Sequence, residues 1–241
     1  MASSKVLPVF LCFSIFLGSI SAASFSSSSE SCEDDHHHGG GNGNGNGGGN
    51  GNGNNGGGNN NGGGGGANRG CPSGWQRFNR PSGGWCIRVF PGMDGQADAE
   101  TKCSAQGGVV SGIQNQAEAI AIGRMALSIM SQSSGSIRIG LRRRQACSTS
   151  PISSTCNSMN SFWWSDRVTT GTDGLLWNRN QPDNAHSASQ QCVVLLASRT
   201  PTVTDSWVWQ ANRLDDVGCV MVPGESARQV RGFACGKKAN N

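Results

Sequence analysis

The sequence predicts an α+β domain that is held together by disulfide bonds. Ten cysteines are present, two segments have helical periodicity, and short strand-like runs then alternate with long polar stretches. Helices followed by a run of strands are typical of the α+β class, and a high cysteine content is typical of domains that fold in an oxidising compartment. We expect the folded domain at residues 71–241.

Residues 1–23 have the pattern of a secretory signal peptide. Lys5 supplies the charge, residues 6–20 the apolar stretch, and Ser21, Ala22 and Ala23 the small residues at the cleavage site. The apolar stretch is too short to span a bilayer. We therefore expect a secreted, extracellular protein without membrane insertion, and a retained signal anchor is the alternative.

Residues 24–70 are predicted to be a disordered tether. The segment begins Ser-rich, and residues 39–66 contain only Gly and Asn, so it has no apolar surface to bury. Residues 33–38 combine carboxylates with three histidines, which is consistent either with weak zinc or copper binding or with a solubilising segment. Cys32 is the odd cysteine of the mature chain. It predicts a disulfide-linked homodimer, unless a small thiol caps it.

The charge distribution argues against nucleic acid as a partner. Four of the 15 acidic residues and one of the 19 basic residues precede residue 67, which leaves 11 acidic and 18 basic residues in the rest. That excess is mild, and it lacks the clustered basic pattern of a nucleic-acid-binding face.

Two helices can be placed from local signals. Residues 98–105 form the first, before Gly107 and Gly108. Asn115 can cap the second, with Glu118 three residues later as in a capping box. Apolar residues then recur at helical spacing up to Ile129, and residues 133–135 are expected to end the helix. The strand candidates that follow are residues 137–141, 162–164, 192–196, 207–209, 218–222 and 232–235.

Seven features resemble, in order, those of the C-type lectin-like domain family. The first three are a cysteine hairpin (71–86), a helix with Cys before Gly-Gly (99–108), and an Ile and a cap before the second helix (113–118). The next two are an Ile-Gly-Leu (139–141) and a Phe-x-Trp-Ser-Asp run (162–166). The last two are a Trp before a proline motif (177–184) and two closing cysteines (219 and 235). The resemblance covers residues 71–235. It implies two helices, short antiparallel sheets and a long loop region.

The resemblance also implies a pattern of disulfides. Its pairs are Cys71 with Cys86, Cys103 with Cys235, and Cys192 with Cys219, which leaves Cys147 and Cys156 to close a local loop. The Cys103–Cys235 bond would close the longest loop and contribute about 4–5 kcal/mol by chain entropy.

Sugar-binding members of this family hold one Ca²⁺ in the long loop beside a proline, and the same side chains bind sugar hydroxyls. Calcium takes six to eight oxygen ligands. The resemblance assigns Gln181, Asp183, Gln190, Asp215 and Asp216 to the metal. Two positions depart from the family pattern, since Gln190 replaces a Glu, and Leu214-Asp215-Asp216 replaces Trp-Asn-Asp. Neutral residues at Asn184, Gln190 and Gln191 argue against a second calcium.

The order Gln181-Pro182-Asp183 resembles that of galactose-type members. The expected sugar-binding residues are Gln181, Asp183, Asp215 and His186, although His186 is also consistent with an ordinary exposed loop histidine. We therefore expect a secreted calcium-dependent lectin for extracellular or microbial glycans. The alternative is a calcium-independent C-type lectin-like module for protein interaction or matrix assembly, without sugar binding.

Other candidates receive simpler interpretations. The seven tryptophans are expected mainly in the core, and the run Arg142-Arg143-Arg144 is expected to be a solvated loop rather than a site for anionic glycans. The sequence contains neither a nucleophile elbow nor an HExxH motif, and His186 is the one histidine after residue 38. We therefore expect no enzyme.

Overall fold

The structure is a computed structural model that describes residues 68–150, 152–224 and 226–240. The predicted signal peptide, most of the tether, residues 33–38 and Cys32 lie outside these ranges. None of the helices in the described part of the chain is long and apolar enough to cross a membrane.

In the described ranges, ten strands form two sheets. The main sheet has the order β1-β2-β10-β4-β6-β9, with β3 beside β10 and β5 beside β4, and β7 and β8 form a separate hairpin. All pairs are antiparallel except β10 with β4. The strands are Gln76–Arg80, Gly83–Pro91, Val109–Val110, Ser134–Arg143, Phe162–Trp164, Cys192–Ser198, Thr202–Asp205, Trp207–Gln210, Leu214–Val217 and Val230–Lys238.

Two helices, α1 (Gln96–Ala105) and α2 (Gln116–Ile129), match the predicted ones. Asn115 caps α2, since its side chain accepts the backbone N–H of Glu118 at 3.1 Å. Glu118 does not complete the capping box, because its carboxylate accepts the N–H of Gln114 and pairs with Arg80. Two further elements are single turns, a 3₁₀ helix at Gln145–Cys147 and a turn at Ala185–Ala188 in which His186 and Ser187 have left-handed backbone angles.

One predicted helix boundary and one predicted strand are wrong. Residues 134 and 135 do not end α2 but begin β4, because the helix already stops at Ile129 and Met130 is extended. The strand predicted at residues 218–222 is irregular chain. There the buried Arg138 donates hydrogen bonds to the carbonyls of Gly218 and Val220, so these carbonyls are satisfied by a side chain and not by a neighbouring strand.

The main core lies between α2 and the sheet. Ala119, Ile122 and Ala126 of α2 pack against buried residues that include Ile87 and Leu195. Because the apolar residues of α2 recur at helical spacing, they lie on one face of the helix, and that face is buried.

Among the described residues, three disulfides join the pairs that the resemblance implies, and a fourth closes the expected local loop. Cys71–Cys86, Cys103–Cys235, Cys147–Cys156 and Cys192–Cys219 have sequence separations of 15, 132, 9 and 27 residues. The Cys103–Cys235 bond lies in a second core cluster, where it fastens α1 to β10.

Candidate functional site

The long loop after Trp177 folds back over strand β9. Its Gln181–Pro182 bond is cis. Four residues that follow, Asn184, His186, Ser187 and Ala188, have positive φ of 48–61°. For residues with a Cβ this left-handed conformation costs about 1–2 kcal/mol each, and such strain is concentrated at functional sites.

A cavity of 520 Å³ opens between this loop and the β7–β8 hairpin. We call it the Gln181 pocket. It is lined by residues of the loop, of β8 and β9, and of the segment before β10, namely Asn178, Arg179, Asn180, Gln181, Asp183, Ala185, His186, Gln190, Trp207, Val208, Trp209, Asp215 and Arg228. Small-molecule sites commonly have volumes of about 300–1,000 Å³.

The pocket brings together four of the five residues that the resemblance assigns to calcium: Gln181, Asp183, Gln190 and Asp215. The fifth, Asp216, is fully buried and does not line the cavity. Asp215 and Asp216 are adjacent in strand β9, and consecutive side chains of a strand point to opposite sides. Only one of the two can therefore face the cavity.

Asp216 fastens the loop to the sheet. Its Oδ1 accepts the backbone N–H of Asp183 at 3.0 Å, and its Oδ2 accepts that of Asn184 at 2.9 Å. The guanidinium of Arg143, at the end of β4, forms an ion pair with the same carboxylate, and both side chains have no exposed area. Arg143 also donates from Nε to the carbonyl of Gln190 at 2.9 Å.

Asp215 faces the pocket and pairs with Arg228. Its Oδ2 accepts Nη1 of Arg228 at 2.6 Å. Its Oδ1 is buried without a hydrogen-bond partner among the described residues, as is Oε1 of Gln181. Buried polar atoms are nearly always hydrogen-bonded, so water or a ligand in the pocket is expected to satisfy these two acceptors.

The remaining assigned residues hold the loop itself. Asp183 Oδ1 and Gln190 Oε1 both accept the backbone N–H of Ala185, at 3.1 Å and 2.6 Å. Asp183 Oδ2 lies 3.4 Å from Nε2 of Gln181. His186 is exposed and lines the pocket.

The electrostatics of the site are set by burial and by two arginines. Burial raises the pKa of Asp215 to about 7, against the lowering effect of Arg228, while Asp216 and Asp183 raise it further. Burial also raises the pKa of Asp216, and the N–H groups of Asn184 and Asp183 and the charge of Arg143 oppose that shift. Both carboxylates are thus desolvated groups that depend on their partners to stay charged.

Few side-chain oxygens remain free for a calcium ion in this arrangement. Asp216 is saturated by two N–H groups and Arg143, and one oxygen of Asp215 is occupied by Arg228. Within the described ranges, no three His, Cys, Asp or Glu side chains are grouped so as to hold a metal. The side-chain oxygens that remain are fewer than the six to eight ligands that calcium takes, so backbone carbonyls and water would have to supply the rest.

Sequence reasoning missed Trp207 as a pocket residue. It is 70 % exposed, whereas Trp75, Trp85 and Trp209 are buried as expected. Trp207 and Trp209 both lie in β8. The sequence signal was the alternation Trp207-Val208-Trp209, but the position of the hairpin beside the pocket depends on the tertiary fold.

Sequence reasoning also misplaced Arg143. It lies in strand β4 with 6 % exposure, rather than in a solvated loop. Its neighbour Arg142 pairs with Glu100, and Arg144 donates to the carbonyl of Asn160. The three arginines point to three different partners and do not form one cationic cluster.

Comparison with known proteins places the domain in a family. The family model described as C-type lectin domain-containing protein 141/158 matches residues 74–238. A comparison with curated proteins gives no match.

Solved structures with a similar fold include both sugar-binding and other proteins. Herring type II antifreeze protein is 19 % identical, covering 70 % of this chain and 100 % of that chain, with a TM-score of 0.45. The cow CD23 carbohydrate-recognition domain, solved in the presence of an oligosaccharide, is 18 % identical, covering 71 % and 98 %, with a TM-score of 0.45. Human lithostathine is 16 % identical, covering 70 % and 90 %, with a TM-score of 0.44.

Similarities at this level carry no argument about function. The family model spans most of the described residues, from β1 to the end of β10. The chain belongs to the C-type lectin domain family.

Proposed function

We propose that the domain is a lectin domain that binds a saccharide in the Gln181 pocket. The observation that carries the proposal is the pairing of two unsatisfied acceptors, Gln181 Oε1 and Asp215 Oδ1, with an exposed tryptophan on the same cavity. Sugar hydroxyls are hydrogen-bond donors, and the C–H face of a sugar ring is apolar. The two acceptors can therefore bind sugar hydroxyls, and the tryptophan ring can stack on the apolar face of the sugar.

The polar part of the pocket is fixed before a ligand arrives. Gln190 and Asp183 are held by the backbone of the loop, and Asp215 by Arg228. Side chains that are already ordered lose little entropy on binding, which favours affinity. A few hydroxyl contacts on an open surface nevertheless yield a weak site, so multivalent presentation is expected to matter.

The apolar part is formed by Trp207 and Val208, which are 70 % and 58 % exposed. An exposed aromatic ring beside convergent polar groups is a typical element of a binding site. Trp207 takes the role of a stacking ring that the segment after the proline motif, residues 185–189, does not supply.

The calcium-dependent, galactose-type form of this function is the second candidate. The unpaired oxygens of Gln181 and Asp215 favour it. If Ca²⁺ binds, Gln181, Asp183, Gln190 and Asp215 are the residues that would hold it, and it would supply a charge that polarises sugar hydroxyls. Arg228 would then have to leave Asp215.

Glycan-array binding of the full chain, with calcium and with EDTA, tests the proposal. We expect Trp207→Ala to lose most of the binding seen for the wild type. Trp163→Ala is the matched control, because Trp163 is also exposed but lies outside the Gln181 pocket. Binding of galactose-terminated glycans that EDTA abolishes would favour the second candidate.

Two outcomes would contradict the proposal. If Trp207→Ala and Trp163→Ala bind glycans equally well, the pocket is not the site. If the wild type binds no glycan under either condition, the protein-interaction module without a sugar site becomes the better hypothesis.

We further propose that the protein is secreted and that residues 24–70 tether two heads through Cys32. The basis is the sequence alone: a signal-like N-terminus, a Gly- and Asn-only stretch, and one odd cysteine. Two linked heads would raise avidity on a glycan surface. Non-reducing electrophoresis tests the dimer, and a band at the monomer position only would contradict it.

A further inference from the structure

Two arginines are bound to the acidic residues of the Gln181 loop in the same way. Arg143 pairs with Asp216, and its guanidinium lies 4.5 Å from the ring centroid of Phe162. Arg228 pairs with Asp215, and its guanidinium lies 3.5 Å from the ring of Trp209. Each cation is thus fixed between a carboxylate and an aromatic face, which is the environment that suits a planar guanidinium.

Neither arginine is an ordinary surface residue. The side chain of Arg143 has no exposed area, and that of Arg228 is 27 % exposed. A buried charge is stable only if it is paired, so Arg143 and Asp216 depend on each other. An exposed ion pair would contribute little to stability. Removal of one partner of a buried pair, however, strongly destabilises the protein.

The contacts of Arg143 join three separate parts of the chain. It lies in β4, its partner Asp216 lies in β9, and its Nε bonds to the carbonyl of Gln190 in the loop. Asp216 in turn accepts the N–H groups of Asp183 and Asn184. The guanidinium of Arg143 therefore connects the start and the end of the loop to the sheet, as a bridging cation would.

We propose that Arg143 and Arg228 act as internal cations that hold the Gln181 loop, so that the loop keeps its binding conformation without a divalent metal. The charges support this division. Asp183, Asp215 and Asp216 supply three negative charges when ionised, and the two arginines neutralise two of them. Arg143 is the positioning residue of the loop, and Arg228 occupies Asp215, one of the two carboxylates that line the pocket.

Hydrogen exchange at the backbone amides of Asp183 and Asn184 tests the role of Arg143 without any glycan. We expect the wild type to protect both amides equally with excess CaCl₂ and with EDTA. In Arg143→Gln these amides should exchange about a hundredfold faster, because Asp216 loses its buried partner. The amides of α2 should keep their protection, and Arg124→Gln on the exposed face of α2 should match the wild type throughout.

Arg143→Lys keeps the charge but lacks the guanidinium fork. It is expected to lie between the wild type and Arg143→Gln, and it serves as the test if the glutamine variant does not fold. Protection of the wild-type loop that appears only with calcium would overturn the proposal. Equal protection of the loop in Arg143→Gln and in the wild type would also overturn it.

Calcium calorimetry tests the role of Arg228. Arg228→Gln frees both oxygens of Asp215 beside Asp183 and Gln181, and it removes a positive charge from the pocket. We expect this variant to bind calcium about tenfold or more tightly than the wild type, since a positive charge next to the carboxylates repels the ion. If the two proteins bind calcium equally well, or if neither of them binds it, the role given to Arg228 is overturned.

The two proposals can fail separately. If exchange and calorimetry give the expected results but no glycan binds, the internal cations stand and the lectin function falls. If glycans bind only with calcium and the loop is protected only with calcium, the lectin function stands and the internal cations fall.

Discussion

Two buried arginines, one in the scaffold and one at the site, are satisfied to different degrees. Arg80 forms hydrogen bonds from all three guanidinium nitrogens, to partners that include Glu118, Asp166 and Thr169. Arg143 uses Nε and Nη2, and its Nη1 is buried without a hydrogen-bond partner among the described residues. The guanidinium of Arg80 is thus fully satisfied, whereas that of Arg143 keeps one nitrogen without a partner.

The difference separates the parts of the domain that maintain the fold from those that meet a ligand. Arg80 connects β1 to α2 and to the loop after β5, and its guanidinium also lies 5.0 Å from the ring of Trp85. The Gln181 pocket holds unpaired acceptors, residues with positive φ and an exposed Trp207. Several such features coincide at this one cavity, and functional sites are where departures from the rules of stability are expected.

The largest expected contrast is between two disulfides. Replacing Cys103 and Cys235 by Ala should lower the free energy of unfolding by about 5 kcal/mol, because that bond closes a loop of 132 residues. Replacing Cys147 and Cys156 should cost about 2.5 kcal/mol, because that loop has a separation of 9 residues. Guanidinium chloride unfolding measures both, and equal losses would contradict the comparison.

Arg80→Gln should destabilise the whole domain by about 3–5 kcal/mol, because Glu118 and Asp166 would remain buried without their common partner. Arg124→Gln is the control and should stay within about 0.5 kcal/mol of the wild type, since Arg124 is exposed on α2. A small effect of Arg80→Gln on the unfolding midpoint would show that the scaffold network is dispensable.

The pH dependence of stability should identify Asp215. Its folded-state pKa of about 7 lies above the ordinary value of 3.8, so the folded protein binds this proton more tightly than the unfolded chain. Its contribution to the free energy of unfolding is therefore most favourable at low pH and declines as pH rises from about 4 to 7. The decline is at most about 4 kcal/mol, at 1.36 kcal/mol per pKa unit.

Asp215→Asn removes this titration, so its stability should change less with pH across that window than the stability of the wild type. Urea unfolding at a series of pH values measures the two slopes. Parallel curves for the two proteins would mean that the Asp215 carboxyl titrates in the ordinary range.

The smallest expected effect is at Trp207. Because this side chain is 70 % exposed, Trp207→Ala should change the free energy of unfolding by less than about 0.5 kcal/mol. Trp209→Ala, two residues along the same strand, should cost about 3–5 kcal/mol because Trp209 is buried and covers Arg228. Similar losses for the two variants would contradict the assignment of Trp207 to a ligand surface.

The sequence predicted those parts of the fold that local signals determine. Asn115 and the spacing of apolar residues placed α2, and the cysteine pattern with its family resemblance gave the four bonds. Strands β1, β3 and β7 carry no such signal, since they are short or partly exposed. Residues 218–222 look like a strand but depend on Arg138, which lies 80 residues earlier in the chain.

The same limit applies to the site. The proline motif and Asp215 could be found by resemblance, because they are close to fixed cysteines in the sequence. The partners of the acidic residues could not, because the 73-residue separation between Arg143 and Asp216 is bridged only by the sheet. A sequence shows how many charges a domain has, but the tertiary fold decides which of them meet.

The position of β10 determines when the domain can fold. This last strand lies between β2 and β4, and it carries the second cysteine of the Cys103–Cys235 bond. A ribosome therefore has to release nearly the entire domain before the middle of the sheet can be filled. Until then β2 and β4 expose open hydrogen-bonding edges. A chain that stops shortly before Val230 would therefore be prone to aggregation.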